Sequence, residues 1–124
     1  MRFMVLLFLF SFPIHAEAED RAAFYGSWGT GKQCAGKPIK PGGSVLARPY
    51  EITADWLKHG DQWCQLNWGP VEKRDGGTFS AAHAHCGEDS LRTYFLGLEL
   101  TGEKLRLRWD FPQISAPLQR CQKP

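Results

Sequence analysis

Apolar and polar side chains alternate along residues 91–110, and the alternation is interrupted only at Thr101-Gly102. Alternation is typical of a half-buried strand, and a glycine-containing pair between two such runs predicts a two-residue turn. In this register the apolar face contains the pairs Leu98–Leu105, Leu96–Leu107 and Tyr94–Trp109. The other face contains an ion pair and a cation–aromatic pair, Glu99–Lys104 and Phe95–Arg108. The pattern therefore predicts a β-hairpin with one buried face.

A second hairpin is predicted around residues 73–77, where folding about Asp75 places Cys64 directly opposite Cys86. The same register separates an apolar face, with the pairs Leu66–Ala84 and Trp68–Ala82, from a polar face, with the pairs Gln65–His85 and Asn67–His83. A one-residue slip would turn every side chain to the wrong face. The register therefore predicts a Cys64–Cys86 disulfide and, by elimination, a Cys34–Cys121 disulfide.

The two hairpins can be joined so that their apolar faces form one continuous surface. The connection at residues 87–89 then sets Ala82 opposite Tyr94 and Ser80 opposite Leu96. Small residues opposite large ones fit a curved, closed sheet. Further strands are expected at residues 22–30, 47–53, 56–58 and 118–122. We expect an all-β fold, a small antiparallel up-and-down barrel of seven or eight strands, which removes exposed sheet edges.

The first eighteen residues have the three parts of a secretory signal peptide. Arg2 precedes an apolar stretch at residues 3–12, and Pro13 follows it. Small side chains predict cleavage after Ala18, with cleavage after Ala16 as the alternative. The apolar stretch is about half as long as a membrane-spanning helix requires, so a membrane anchor is the less favoured reading. We expect residues 1–18 to be a signal peptide and residues 19–124 a single barrel domain, in the periplasm or secreted.

Composition and charge narrow the class of protein further. Four cysteines, all beyond residue 18, fit two disulfides formed in an oxidising compartment. A net charge of +2 is too small for the dense basic face that nucleic-acid binding requires. The sequence contains no recognisable catalytic triad, phosphate loop or cofactor motif. We therefore expect a non-enzymatic protein without a cofactor or a membrane span, while its oligomeric state stays open.

Two short motifs lie near the ends of the expected mature chain, Gly26-Ser27-Trp28 and Arg120-Cys121. They resemble the calycin pattern, in which G-x-W on the first strand is accompanied by an arginine on the last strand, packed across the indole. Such a cation–π contact can close one end of a barrel. The layout is similar to lipocalin-like secreted bacterial inhibitors, such as the periplasmic metalloprotease inhibitors, and to small exported proteobacterial proteins. The resemblance implies structural roles for Trp28 and Arg120, on neighbouring first and last strands.

Exposed tryptophans are the first candidate binding residues. By alternation Trp28, Trp68 and Trp109 belong to the core, whereas Trp63 falls on a polar face and Trp56 lies beside a turn. An exposed tryptophan is a common anchor for protein or sugar recognition. An equally good explanation for either tryptophan is that its side chain covers one end of the barrel.

Residues 34–49 form the longest irregular stretch of the chain and include the candidate contacts Lys37 and Lys40. Prolines stiffen the stretch, and the expected disulfide at Cys34 tethers its start. A stiff, tethered loop loses little entropy on binding, which suits recognition. An ordinary barrel-closing connection is the simpler interpretation.

His83 and His85 lie two residues apart on one strand face, about 6–7 Å from each other. Two histidines in this arrangement supply half of a zinc site. Cys86 points to the opposite face, and the sequence identifies no third ligand. We therefore interpret the two histidines as solvent-facing polar residues and predict no metal.

Together these features favour an exported binding protein that acts through loops at one barrel mouth. Its expected contact residues are Trp56, Trp63, Lys37 and Lys40. The most concrete version is an inhibitor or protective partner of an extracytoplasmic hydrolase. One alternative is a lipocalin-like carrier of a small apolar ligand, which requires an empty interior. The other is a metal-binding protein or enzyme that uses His83 and His85.

Overall fold

Eight antiparallel strands form a nearly closed barrel in the part of the chain that the computed structural model describes, residues 20–87, 92–110 and 113–122. The strands are β1 Gly26–Gly29, β2 Tyr50–Ile52, β3 Trp56–His59, β4 Gln62–Arg74, β5 Gly77–Cys86, β6 Thr93–Thr101, β7 Lys104–Trp109 and β8 Gln119–Arg120. Their order in the sheet is β7-β6-β5-β4-β3-β2-β1-β8, so each of the first seven strands pairs with its neighbour in sequence. The predicted all-β barrel is confirmed, whereas the expected signal peptide at residues 1–18 lies outside the described residues.

Strands β4 and β5 pair in the predicted register over the half of the hairpin that contains the two cysteines. Cys64 pairs with Cys86, and the pairing continues unchanged as far as Trp68 and Ala82. The Cys64–Cys86 disulfide is present, with Cα atoms 4.0 Å apart. Beyond Trp68 a bulge at residues 69–70 shifts the register by one, so that the turn is Asp75-Gly76.

The registers predicted for β6 are wrong by two residues on both sides. Leu98 pairs with Leu107 on β7 and with Ser80 on β5, and Leu96 pairs with Ala82 and Trp109. The turn between β6 and β7 is Gly102-Glu103, not Thr101-Gly102, since Gly102 has the positive φ of 60° that the first turn position needs. The ion pair joins Glu99 to Arg108, not to Lys104, and Phe95 does not lie opposite Arg108. A two-residue shift leaves every side chain on its predicted face.

Strand β1 is shorter than predicted because a 3-10 turn precedes it and a capped helix follows it. Residues 22–30 were expected as one strand, but a 3-10 turn at Ala22–Phe24 precedes β1. Helix α1 (Gly31–Ala35), which the pattern did not predict, follows β1. The hydroxyl of Thr30 accepts a hydrogen bond from the Gln33 N–H, and the Gln33 side chain accepts one from the Thr30 N–H. This capping box begins the helix at the end of β1.

Closure of the barrel brings the two ends of the chain together. Leu105 and Leu118 exchange two backbone hydrogen bonds of 2.9 and 2.8 Å, which join β7 to the segment leading into β8. Trp28 on β1 pairs with Arg120 on β8. The Cys34–Cys121 disulfide links α1 to the residue after β8, as predicted. The first and last strands are therefore neighbours.

Arg120 holds this seam through contacts of two kinds. Its guanidinium carbon lies 4.2 Å from the centroid of the Trp28 ring. Its two terminal nitrogens donate to the carbonyl oxygens of Tyr25 and Ala23, at 2.8 and 2.6 Å. Trp28 is fully buried, and its indole N–H donates to the carbonyl of Phe24. Arg120 thus fixes the segment before β1 against the last strand.

Large apolar side chains fill the barrel interior. Those with essentially no exposed surface are Phe24, Trp28, Ile52, Leu96, Leu98, Leu105, Leu107 and Leu118. Small residues face them from β5: Ala82 lies opposite Leu96, and Ser80 lies opposite Leu98. Trp68 and Trp109 are only partly buried at the edges of this core. The alternation of sizes leaves the middle of the barrel packed rather than hollow.

We expect Arg120→Ala to lower the free energy of unfolding by about 2–3 kcal/mol, because it removes a cation–π contact and two charge-assisted hydrogen bonds. Urea denaturation with both disulfides intact measures the change. Arg106→Ala is the matched control, since Arg106 is exposed on β7 and its loss should cost about 0.5 kcal/mol or less. Equal effects of the two substitutions would contradict the role given to Arg120.

Candidate functional site

Residues 37–47 form a small hairpin rather than the irregular loop expected from the sequence. The Ile39 N–H donates to the Val45 carbonyl at 2.9 Å, and the Ala47 N–H donates to the Lys37 carbonyl at 2.8 Å. At the tip, the Gly43 N–H donates to the Lys40 carbonyl at 2.9 Å across Pro41 and Gly42. Gly42 has a φ of 75°, and proline followed by such a glycine is the sequence of a type II turn. The hairpin has a defined conformation of its own.

Three connections fix this hairpin to the barrel. Helix α1 leads into it, and Cys34 in that helix is bonded to Cys121. The Lys32 ammonium donates to the Ile39 carbonyl at 2.9 Å. Ala47 at the end of the hairpin is buried. The hairpin therefore projects from the barrel on a fixed base.

The hairpin exposes three apolar side chains close to its tip. Ile39, Val45 and Leu46 are 53 %, 65 % and 47 % exposed. Lys37 and Lys40 are exposed on the same hairpin, at its base and in its turn. Adjacent exposed apolar side chains rimmed by polar residues are typical of an interaction site. The two lysines were predicted as contacts from the sequence, but the apolar residues were not, because they stand in short runs between prolines and glycines that show no helical or strand periodicity.

The end of this segment leads into one mouth of the barrel. The His59 Nε2 lies 3.2 Å from the Arg48 carbonyl oxygen, within hydrogen-bond distance. The His59 ring stacks on Tyr50 with centroids 4.0 Å apart and planes 21° from parallel. Burial raises the pKa of the Tyr50 phenol above its ordinary value of 10.0. The hairpin base and the mouth are thus joined through an aromatic pair.

A cavity of about 570 Å³ opens at this mouth, above the packed interior. The Cys64–Cys86 disulfide and Leu57 lie at its base. Its aromatic lining residues are Tyr50, His59, Trp63, Tyr94 and Trp109. Its polar and charged lining residues are Asp61, Gln62, Arg92 and Gln113. The size is within the range of about 300–1,000 Å³ that is usual for small-molecule sites.

The structure separates the two tryptophans that the sequence grouped together. Trp63 is 48 % exposed and lines the mouth cavity. Trp56 is 41 % exposed on the side wall of the barrel, where it pairs with Gln65. The Lys58 ammonium lies 4.6 Å from the centroid of the Trp56 ring and covers part of it. Only Trp63 shares a mouth with the end of the 34–49 segment.

His83 and His85 lie on the outer face of β5 and are engaged with neighbouring side chains. The two ring nitrogens of His85 lie 3.0 Å from the Thr93 hydroxyl and 3.4 Å from the Asn67 amide. His83 packs edge-on against Phe95, with ring centroids 5.8 Å apart. Among the described residues no cluster of three or more histidine, cysteine, aspartate or glutamate side chains could hold a metal ion.

Comparisons of the chain with protein-family models, with curated proteins and with solved structures found no match. A membrane-crossing helix is likewise not found in the part of the chain that the structure describes. The two candidate functional features are the mouth cavity and the 37–47 hairpin, whose following residue Arg48 contacts the cavity-lining His59.

We expect the free energy of unfolding to fall as the pH rises above about 10, the ordinary pKa of a tyrosine phenol. In that range the unfolded Tyr50 loses its proton while the buried phenol retains it, so the folded state binds more protons and stability decreases. Tyr50→Phe should make this fall shallower, as measured by urea denaturation between about pH 8 and pH 11. The comparison at pH 8, where both states are neutral, serves as the control. Parallel pH profiles for the two proteins would contradict the prediction.

Proposed function

We propose that this chain is an exported, non-enzymatic binding protein that inhibits or protects an extracytoplasmic hydrolase through the 37–47 hairpin. The observation that carries the proposal is the exposure of Ile39, Val45 and Leu46 on a hairpin with a defined backbone. Apolar side chains at these exposures are anchors that a partner surface would bury. Lys37 and Lys40 surround them with positive charge.

Tethering of the hairpin supports binding over a merely structural role for this segment. The Cys34–Cys121 bond and the Lys32–Ile39 hydrogen bond already restrict the segment before any partner is present. Association is weakened when flexible loops must be ordered, so a pre-ordered hairpin keeps more of its contact energy as affinity. Barrel closure needs the base of the segment, but it does not require three apolar side chains in solvent.

Export is supported by two independent features. The pattern of residues 1–18 is that of a signal peptide. Two disulfides join all four cysteines, which fits an oxidising compartment outside the cytoplasm. A partner of this protein would therefore be another periplasmic or secreted protein.

A carrier of a small molecule is the second candidate function, and the mouth cavity favours it. The interior that a lipocalin-like carrier would use is filled by Leu96, Leu98 and Leu107. A ligand would have to sit at the mouth, where the lining combines aromatic and charged side chains. Such a lining is a poor match for the small apolar ligand that the sequence-based carrier alternative assumed.

Site-specific crosslinking tests the hairpin directly. We expect a photoreactive residue at position 45 to crosslink one hydrolase from the extracytoplasmic fraction of the source cells. The same residue at position 114 is the control, because Ile114 is 51 % exposed in a different part of the barrel. Identical products from the two positions, or none from either, would contradict the proposal.

Inhibition by the purified protein is the functional measurement. We expect the crosslinked hydrolase to lose activity, or to be shielded from degradation, when the wild-type protein is added. Val45→Asp should weaken this effect at least tenfold, because burying an unpaired carboxylate opposes binding, whereas Ile114→Asp should not change it. Val45 is 65 % exposed, so the substitution should leave folding intact. Unchanged potency of Val45→Asp would refute the role of the hairpin tip.

A further inference from the structure

The mouth cavity combines aromatic walls with a charged rim, and the aromatic rings have defined mutual geometry. Tyr94 meets Trp109 edge-on, with centroids 6.4 Å apart and planes at 89°. Across the mouth, Tyr50 and His59 are stacked. Trp63 lies at the rim with half of its surface exposed. Aromatic faces in such an arrangement offer flat apolar walls on more than one side of a bound ring.

The rim has polar groups of both signs. Asp61, in the turn between β3 and β4, offers a carboxylate that accepts hydrogen bonds. Arg92, just before β6, offers a guanidinium that donates them. The amides of Gln62 and Gln113 can do both. All four side chains end in planar groups, and each has more than one hydrogen-bonding atom.

This mixture disfavours most classes of small ligand. A wholly apolar molecule would displace water from Asp61 and Arg92 without replacing their hydrogen bonds. An anion attracted by Arg92 is repelled by Asp61, and a cation attracted by Asp61 is repelled by Arg92, so the pair favours neither sign of net charge. A neutral ring with hydroxyl groups on its edge satisfies the donor and the acceptor, while its C–H face packs on an aromatic wall. The lining therefore selects a neutral, polyhydroxylated ring.

We propose that the barrel mouth is a carbohydrate-binding site for one or two neutral sugar rings. One ring face would pack on the indole of Trp63 or Trp109, and hydroxyls would donate to Asp61 and accept from Arg92. A cavity of about 570 Å³ has room for a ligand of this size. The base, closed by Leu57 and the Cys64–Cys86 disulfide, limits how deeply the ligand can enter.

The sugar site goes beyond the hairpin-mediated function and does not depend on it. Its residues come from strands β2 to β7 and from the residues that flank them, whereas the apolar anchors lie on the 37–47 hairpin. Variants at the mouth and at the hairpin tip therefore separate the two proposals. Val45→Asp should leave sugar binding unchanged.

NMR titration of the full disulfide-bonded protein tests the proposal. The probes are maltose, cellobiose and di-N-acetylchitobiose, each raised to about 20 mM, because a ligand with so few atoms is expected to have a Kd of about 1 mM or tighter. We expect at least one disaccharide to shift the indole N–H signals of Trp63 and Trp109 saturably. The indole signals of Trp28 and Trp56, which lie outside the cavity, serve as internal controls.

Two substitutions with matched controls locate the site. Trp63→Ala should weaken the binding disaccharide at least fivefold, and Trp56→Ala should not, although both tryptophans are similarly exposed. Asp61→Asn should weaken it at least threefold, and Asp75→Asn, in the turn between β4 and β5, should not. Signals of Trp28 show whether each variant retains the folded core.

Three outcomes would overturn the proposal. In the first, no disaccharide shifts any indole signal. In the second, all indole signals drift without saturation, which is the behaviour of a solvent effect. In the third, the uncharged apolar dye N-phenyl-1-naphthylamine binds at Trp63 and Trp109 while the sugars do not, and the mouth is then an apolar ligand site.

Discussion

The seam between the first and the last strand is the constraint on which the whole barrel depends. β8 pairs with β1 over only two residues, so backbone hydrogen bonds hold this edge weakly. Arg120 adds a cation–π contact with Trp28 and two hydrogen bonds to carbonyls before β1. The Cys34–Cys121 bond spans 87 residues of sequence, and a link of this length removes about 4–5 kcal/mol of chain entropy from the unfolded state. Together they keep closed a barrel whose interior would otherwise be exposed along one side.

Closure also positions both candidate sites. Cys34 lies in helix α1, and the 37–47 hairpin begins two residues after that helix ends. The disulfide that closes the barrel therefore also fixes the base of the hairpin. From the other end of the hairpin, Arg48 contacts His59, which stacks on Tyr50 at the mouth. The disulfide thus fixes the start of the hairpin, and the Arg48–His59 contact joins its end to the cavity wall.

The two sites have complementary chemistry. The hairpin presents the exposed apolar side chains of Ile39, Val45 and Leu46, which suit the surface of a protein partner. The mouth is concave, with aromatic walls and charges of both signs at its rim, which suits a small neutral ligand with hydroxyl groups. The outer face of the barrel carries polar pairs such as His85 with Thr93 beside the exposed side chains of Phe95 and Trp56.

Local pattern was sufficient for the β4–β5 register and for both disulfides, because a one-residue slip there would separate Cys64 from Cys86 and reverse the faces. It was insufficient for the registers of β6, because a shift of two residues preserves every face and polarity cannot detect it. Which tryptophan lies at the mouth depends on the tertiary structure. Trp56 and Trp63 both look exposed from the sequence, but they lie at different positions along the adjacent strands β3 and β4. The cavity and the exposed Ile39, Val45 and Leu46 likewise depended on tertiary structure. The cavity exists because distant segments meet when the barrel closes, and the hairpin side chains are exposed because the barrel does not cover them. A local alternation of polar and apolar residues predicts neither.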